Sequence, residues 1–391
     1  VQTPLATAYM FLYVLYGATA LGLALLFGLK LRNIAVEKRA RRCLEKYQDY
    51  FVYLQAHGDG EERLKAPPGN LSSQEKKIIQ KRLFELMESF TGVHRQKLAQ
   101  LCEDMGVVDL NLRRLGSAWK WTRVDAAYNL GVMRSRRAVP GLLRLLDTIG
   151  YDPSLFIVAR AVAKCARHEK DLDEMVRHLV KHRKSFHQLI VDILSESEVD
   201  VAPLFASFLL EADTELVEIG LIGLSTSQPA HLELHLQRLV RSREKEVRIK
   251  AVKLLCKNGR QLTDKRVREF LAHPDWEIRA AAAKAVGTHG LSSYIPLLKQ
   301  AVGDSSWWVS HHSARSLAQL HLEGFSALCE ILQEGRFGEG LKMAHQVVQE
   351  ELEKAKRHLG DPELQRQYNE KLRLYQGSRR NTISTVQAWQ S

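Results

Sequence analysis

PDWEIRAAAAKAVGTHGLSSYIPLLKQAV, residues 274–302, reads as two amphipathic helices joined by a short turn. Ile278, Ala282 and Val286 follow at intervals of four, so they share one helical face. Pro274 and Asp275 stand just ahead of them, with Asp275 placed to cap the helix. After the turn, Ile295, Leu297, Leu298 and Val302 supply a second apolar face. The same pattern recurs along the chain. Leu216, Val247, Ile278 and Val309 are spaced 31 residues apart. Four residues after each comes a small one, Gly220, Ala251, Ala282 and Ser313; eight after each comes Leu224, Leu255, Val286 and Leu317. A narrow face between aliphatic residues lets one helix sit close against the next. Second helices are expected around Leu232, Leu236, Leu239 and Val240, around Val267, Phe270 and Leu271, and around Phe325, Leu328, Ile331 and Leu332. Three columns on one period predict stacked helical hairpins, an α-solenoid.

The unit at 274–302 resembles a HEAT repeat through Asp275, Ile278, Arg279, Ala282, Ala283, Val286 and Gly287. WTRVDAAYNLGVMRSRRAVPGLLRLL, residues 121–146, matches the same pattern with Arg123, Ala126, Ala127, Leu130 and Gly131. Leu155/Ala159/Ala163 and Phe186/Ile190/Leu194 mark two looser first helices, and Ser310 replaces the arginine in the last unit. The count is about seven units over residues 119–335. The resemblance implies an all-α fold, a right-handed α-solenoid of HEAT-like hairpins with helical caps, and the apolar run before it is expected to be an N-terminal transmembrane helix. The resemblance is specific for architecture and not for activity. The expected layout is an anchor at 1–29, a juxtamembrane linker and cap at 30–118, the solenoid at 119–335, a C-terminal cap at 336–376 and a mobile tail at 377–391, in which Trp389 lies. This layout resembles membrane-anchored HEAT-repeat proteins of Gram-positive bacteria. Some of these look like companions of membrane glycosyltransferases of polysaccharide synthesis, which implies a partner of that kind.

The anchor rests on residues 6–29, ATAYMFLYVLYGATALGLALLFGL, which contain no charge and are long enough to cross about 30 Å of hydrocarbon. Tyr9, Tyr13 and Tyr16 lie toward its start, and Lys30, Arg32, Lys38, Arg39, Arg41 and Arg42 follow it, opposed only by Glu37. A cleaved signal peptide carries its basic residues before a shorter run, and a core helix carries a polar stripe; this segment does neither. The basic flank predicts a cell-membrane protein with its N-terminus outside and its body cytoplasmic. The same flank is suited to anionic lipid. Between anchor and array, Tyr47, Tyr50, Phe51 and Leu54 continue a helix; Ser72 or Ser73 with Glu75 begins another. Leu341, Ala344, Val347, Val348 and Leu352, then Leu364, Tyr368 and Leu372, form the closing cap.

Cys43, Cys102, Cys165, Cys256 and Cys329 are odd in number and widely spaced, which argues for free thiols. No phosphate loop, zinc-protease motif or nucleophile elbow occurs, so neither a catalytic residue nor a cofactor is expected. His178 and His182 share helical metal-ligand spacing, but Lys181, Arg183 and Lys184 among them oppose a bound cation. His311 and His312 diverge around their helix. The chain carries a net charge of +12. From Arg238 to Arg268 there are 12 Lys/Arg against 3 Asp/Glu, a net +9. Lys181, Arg183, Lys184, Arg241, Lys265, Arg266 and Arg268 are therefore candidate partner-binding residues on the concave row of second helices; the same pattern also suits plain solvated helix faces. The leading expectation is a non-enzymatic, membrane-tethered scaffold for a membrane-associated protein. The alternative is a basic-groove nucleic-acid binder, similar to HEAT-like alkylpurine DNA glycosylases, which a membrane anchor makes a poor match. Nothing motivates a substrate for a HEAT-like lyase.

Overall fold

The computed structural model describes residues 4–58, 62–69, 71–181, 186–225, 232–335, 338–357 and 362–388, and among these every regular element is a helix. They divide into two compact units, residues 1–182 with 193–199 and residues 183–192 with 200–391.

The first unit begins with α1 (Pro4–Lys46), which runs unbroken through the apolar stretch and its basic flank. Tyr9, Met10, Phe11, Tyr13, Leu23 and Leu26 are all exposed, as are the six basic residues from Lys30 to Arg42. One helix of the described chain is thus long and apolar enough to cross a membrane, and none of that stretch is buried against the rest. α2 (Gln48–Ala56) follows and turns Tyr50, Phe51 and Leu54 inward. α3 (Ser73–Ser89) opens with the expected capping box: Ser72 Oγ accepts from Glu75 N at 3.2 Å, and Ser72 N donates to Glu75 Oε2 at 3.0 Å. The Glu75 carboxylate also holds Lys46 Nζ at 2.8 Å, which ties the end of α1 to α3. α4 (Gly92–Asp104) and α5 (Val107–Leu115) follow. His94, on α4, is buried with Nε2 3.0 Å from Leu54 O, and Gly58 passes so close that a Cβ there would meet the imidazole at 2.1 Å.

Helical hairpins come next: α6 (Lys120–Val132) with α7 (Val139–Thr148), and α8 (Ser154–Cys165) with α9 (Glu169–Val180). α10 (His187–Ser195), within which the division between units falls, precedes α11 (Ala202–Phe208). The second unit continues with α12 (Thr214–Gly223) and α13 (Glu233–Leu239), α14 (Lys245–Cys256) and α15 (Asp264–Leu271), α16 (Trp276–Thr288) and α17 (Ile295–Ala301), and α18 (Trp307–Gln319) and α19 (His321–Glu334). α20 (Glu339–Lys356) and α21 (Pro362–Ala388) close it. First helices stack on first helices, α12 on α14, α14 on α16 and α16 on α18, and α14, α16 and α18 each pack on the second helix of the unit before, α13, α15 and α17.

The repeat columns form the core of this stack. Leu216, Val247, Ile278 and Val309 are buried, as are Gly220, Ala251, Ala282, Ser313, Leu224, Leu255, Val286 and Leu317. Close approach depends on glycine where it matters most. A Cβ on Gly287 would lie 2.6 Å from Ser316 Cα of the next first helix, and one on Gly131 2.9 Å from Ala161 Cα. An arginine–aspartate bridge also links successive units. Arg248 Nη2 donates to Asp275 Oδ2 at 2.7 Å, and Arg279 grips both oxygens of Asp304 at 2.7 and 2.9 Å. Each arginine spends its remaining donors on carbonyls of the turn behind it, Ser242 and Arg243 for Arg248, His273 and Pro274 for Arg279. Asp275 does stand at the N-cap of α16, but its side chain makes no capping bond because Arg248 holds it. At Ser310 the bridge stops, and its hydroxyl donates to Val302 O at 2.7 Å.

α21 does not end at Gly377, where a mobile tail was expected to start, but runs on to Ala388. Ser378 is buried there and its hydroxyl donates to Tyr375 O at 2.7 Å, while the Tyr375 hydroxyl accepts from Gln349 Nε2 of α20 at 2.7 Å. Packing against α20 outweighs the low helix propensity of the Gly–Ser pair. Trp389 lies outside the described residues.

Candidate functional site

Of the predicted basic residues, Lys181 belongs to the first unit and Arg241, Lys265, Arg266 and Arg268 to the second. Arg183 and Lys184 lie outside the described residues, as does His182. Lys181 is exposed in the first unit, with Nζ 3.3 Å from His178 Nδ1, and His178 in turn faces Asp147 at 2.9 Å. Arg266 is half-buried, donating to Glu233 at 2.9 Å and Gln261 O at 2.7 Å. Arg268 is paired with Asp264 at 2.9 Å, one turn before it on α15. That hydrogen bond lowers the Asp264 carboxyl and raises the Arg268 guanidinium. Arg241 and Lys265 remain exposed, with no side-chain partner recorded among the described residues. The net +9 of residues 238–268 is also offset from outside the window. Lys245 meets Glu277, Arg248 meets Asp275 and Lys250 meets Glu218. These partners lie about one repeat away, where stacking places them side by side.

A groove that the charge pattern did not reveal opens on the other row, along the first helices α14, α16 and α18. It encloses 710 Å³. The alanine run of α16 makes its floor, with Ala280, Ala281 and Ala285 between taller walls. Trp276 and Trp308 stand at one end, with His312 beside Trp308 at a ring separation of 6.2 Å. Lys253, Lys257 and Lys284 stand toward the other. Trp276 and Lys284 are eight residues apart on α16, about 12 Å along the helix. Lys253 and Lys284 occupy one repeat column, 31 residues apart, so neighbouring helices present them at the same level. The one carboxylate of the lining, Glu277, is turned onto Lys245 at 2.9 Å. Burial, the adjacent His311 and Lys284 lower His312, so the lysines supply the positive charge at neutral pH.

Exposed tryptophan is the signal that identifies this row. Trp119, Trp121, Trp276, Trp307 and Trp308 are all exposed, from 38% to 79%. Large aromatic side chains left in water mark interaction surfaces more often than large aliphatic ones scattered singly. Trp307 stacks on His311 at 4.8 Å, and this contact accounts for the two histidines: each lies against its own indole. Among the described residues no group of three or more metal-ligating side chains occurs.

Stacked hairpins bridged by arginine and aspartate form a helical-repeat array. The profile of the HEAT repeats family matches residues 232–318 and again 265–338. Comparison with curated proteins gives no match. Among solved structures, an engineered protein is similar at 16% identity, with 79% of this chain and 96% of that one covered and a TM-score of 0.34. A chain of the Kap95p–RanGDP structure is similar at 12% identity, with 78% of this chain and 45% of that one covered and a TM-score of 0.40. A chain of the CpcE–CpcF complex of the phycocyanin lyase of Nostoc sp. PCC7120 is similar at 16% identity, with 69% and 94% covered and a TM-score of 0.27.

Proposed function

We propose that this chain is a non-enzymatic scaffold, tethered in a cell membrane by α1 with its N-terminus outside, whose repeat body holds a protein partner at the cytoplasmic face. The observation that carries the reading is the exposed apolar helix that continues unbroken through its basic flank to Lys46, where Glu75 of α3 holds it. A tether confines the body to the membrane plane and raises its effective concentration toward a membrane-bound partner. The resemblance to anchored HEAT-repeat proteins makes a membrane glycosyltransferase of polysaccharide synthesis the partner class to test first. If α1 stands upright, Lys30 and Arg32 reach anionic headgroups, whereas Lys38 to Arg42 begin about 12 Å beyond Lys30. That exceeds a Debye length of about 8 Å, so these four are left to the partner more than to lipid.

The α14–α16–α18 groove suits an acidic peptide segment of that partner. Its indoles and its ammonium groups sit at opposite ends, about 12 Å apart, a span of roughly four extended residues. A peptide with an apolar side chain followed by carboxylates matches this division. A nucleic-acid strand, which repeats base and phosphate at every step, does not. The test is crosslinking in intact cells from the tagged full-length chain, with mass spectrometry of what stays attached. Wild type is compared with the pair Lys253→Glu and Lys284→Glu, and with the triple change of Lys265, Arg266 and Arg268 to Glu. Recovery of an integral-membrane protein that the first variant loses supports the reading; loss only in the triple variant moves the site to the second helices. Recovery of nucleic acid, or of nothing specific, overturns the scaffold.

A further inference from the structure

The first unit contains a second cavity, of 510 Å³, independent of the groove and of the scaffold reading. Five arginines line it, Arg95, Arg134, Arg136, Arg137 and Arg167, against the carboxylates of Glu103 and Glu198. Arg137 is satisfied by Glu103 at 3.2 Å and by Asp109 at 2.7 Å. The other carboxylate is shared three ways: Glu198 lies 2.8 Å from Arg95, 3.5 Å from Arg134 and 2.9 Å from Arg167. Arg136 is exposed at the rim with no ion pair recorded among the described residues. Positive charge therefore exceeds negative in this half-open cavity. Burial lowers the Arg134 guanidinium, and the charges of Arg95 and Arg167 lower it further.

The backbone adds an independent observation. Arg134 has φ +49, in the left-handed region. It closes α6 by a turn in which Ser135 N reaches back to Leu130 O at 3.3 Å. The best-formed repeat ends α16 with the same turn, Leu291 N to Val286 O at 3.0 Å, and there the left-handed position is Gly290, φ +65. Aligning Gly131 with Gly287 puts Arg134 on Gly290. An arginine thus occupies the position where the fold itself favours glycine, and its guanidinium enters the cavity. Strain of this kind gathers at ligand sites.

We propose that this cavity binds a phosphate-bearing small molecule, with Arg95, Arg134 and Arg167 gripping the phosphate or diphosphate group. Guanidinium forks match phosphate oxygens in pairs, and a volume of this size accommodates a nucleotide-sized ligand. Glu198 is the internal counter-ion that keeps the three side chains assembled and competes with the anion.

The experiment is calorimetric titration of inorganic pyrophosphate into the full-length chain in maltoside micelles, which contain no phosphate. A nucleoside diphosphate, citrate and micelles doped with phosphatidic acid are parallel probes. Pyrophosphate is expected to bind saturably and citrate at least tenfold more weakly. Arg134→Gly installs the residue that the turn favours, so helicity by circular dichroism is retained while affinity falls at least tenfold. Glu198→Gln removes the competitor, and affinity rises at least threefold; a purely structural arginine cluster would show no such gain. Absence of saturable binding by either soluble phosphate probe, unchanged affinity in Arg134→Gly, or citrate equal to pyrophosphate overturns the proposal. Binding of phosphatidic acid alone would assign the phosphate to a lipid headgroup and overturn the soluble ligand.

Discussion

Replacing Arg279 with alanine tests how successive repeats are held together. The guanidinium makes four hydrogen bonds, two to the Asp304 carboxylate at 2.7 and 2.9 Å and two to the carbonyls of His273 and Pro274 at 2.7 and 2.9 Å. Both side chains of the pair are largely withdrawn from water, with 15% and 14% of their surface exposed. Truncation leaves a carboxylate and two carbonyls in that environment without their donor. Breaking a buried pair from one side costs about 3 kcal/mol, most of it the desolvation of the abandoned charge. With a urea slope near 3 kcal/mol/M, the midpoint should fall by about 1 M. The loss should also depend on pH. Burial alone would raise the Asp304 carboxyl, but the Arg279 hydrogen bonds outweigh it and the group lies below its usual value. A depressed carboxyl stabilises the fold above its unfolded value near 3.9 and ceases to do so as pH falls through the folded value. The difference between Arg279→Ala and wild type should therefore be full at pH 7 and shrink below pH 4. Urea titrations at both pH values provide the measurement, with Lys342→Ala, from an exposed pair one turn apart on α20, as a control expected to change stability by less than about 0.5 kcal/mol. An Arg279→Ala midpoint within about 0.2 M of wild type, roughly the precision of such curves, would refute the inter-repeat role.

Gly287→Ala should cost about 1–3 kcal/mol, because its Cβ would press to 2.6 Å on the Ser316 backbone and α18 must shift; hydrogen exchange in α16 and α18 reads this directly, and unchanged protection would count against the packing. Lys46, then Ser72, pull the Glu75 carboxyl from 4.5 down to about 2. That contribution is present above pH 4.5 and disappears as pH falls toward 2, so protection of the first-turn amides of α3, taken relative to intrinsic exchange at each pH, should fall over this range in wild type and stay flat in Glu75→Gln. Burial pushes the thiols of Cys102, Cys165, Cys256 and Cys329 up to about 12. A thiol-reactive disulfide reagent at pH 8 should label them at least a hundredfold more slowly in the native chain than in urea, in keeping with their burial; rapid labelling of any one would contradict its placement.

The repeat architecture was legible because its determinants are local and periodic. Leu216, Val247, Ile278 and Val309 announce themselves by spacing alone, and all four are buried. The capping box at Ser72 and Glu75 was legible for the same reason. What escaped were relations across one repeat length. Counting charge in a window around Arg238–Arg268 overlooked Glu218, Asp275 and Glu277, which stacking brings against Lys250, Arg248 and Lys245. The same blindness gave Asp275 a capping role, whereas Arg248 of the preceding unit holds its carboxylate. Trp276 and Trp308 carried no periodic signature of exposure, so the aromatic groove became visible only once α14, α16 and α18 stood side by side. Arg134 escaped for a different reason: nothing in the residue type announces a left-handed backbone, and only alignment of its turn with Gly290 does. At the C-terminus, Gly377 and Ser378 suggested a break that packing on α20 overrides.

A photoreactive phenylalanine analogue at Ala281, on the groove floor, with a second at exposed Lys342 as reference, tests the central claim most directly. In intact cells, Ala281 should crosslink to one integral-membrane protein through an acidic segment, and Lys342 should not. Equal capture at both positions, or none at Ala281, would contradict the account of a membrane-tethered scaffold that grips its partner through the first-helix groove.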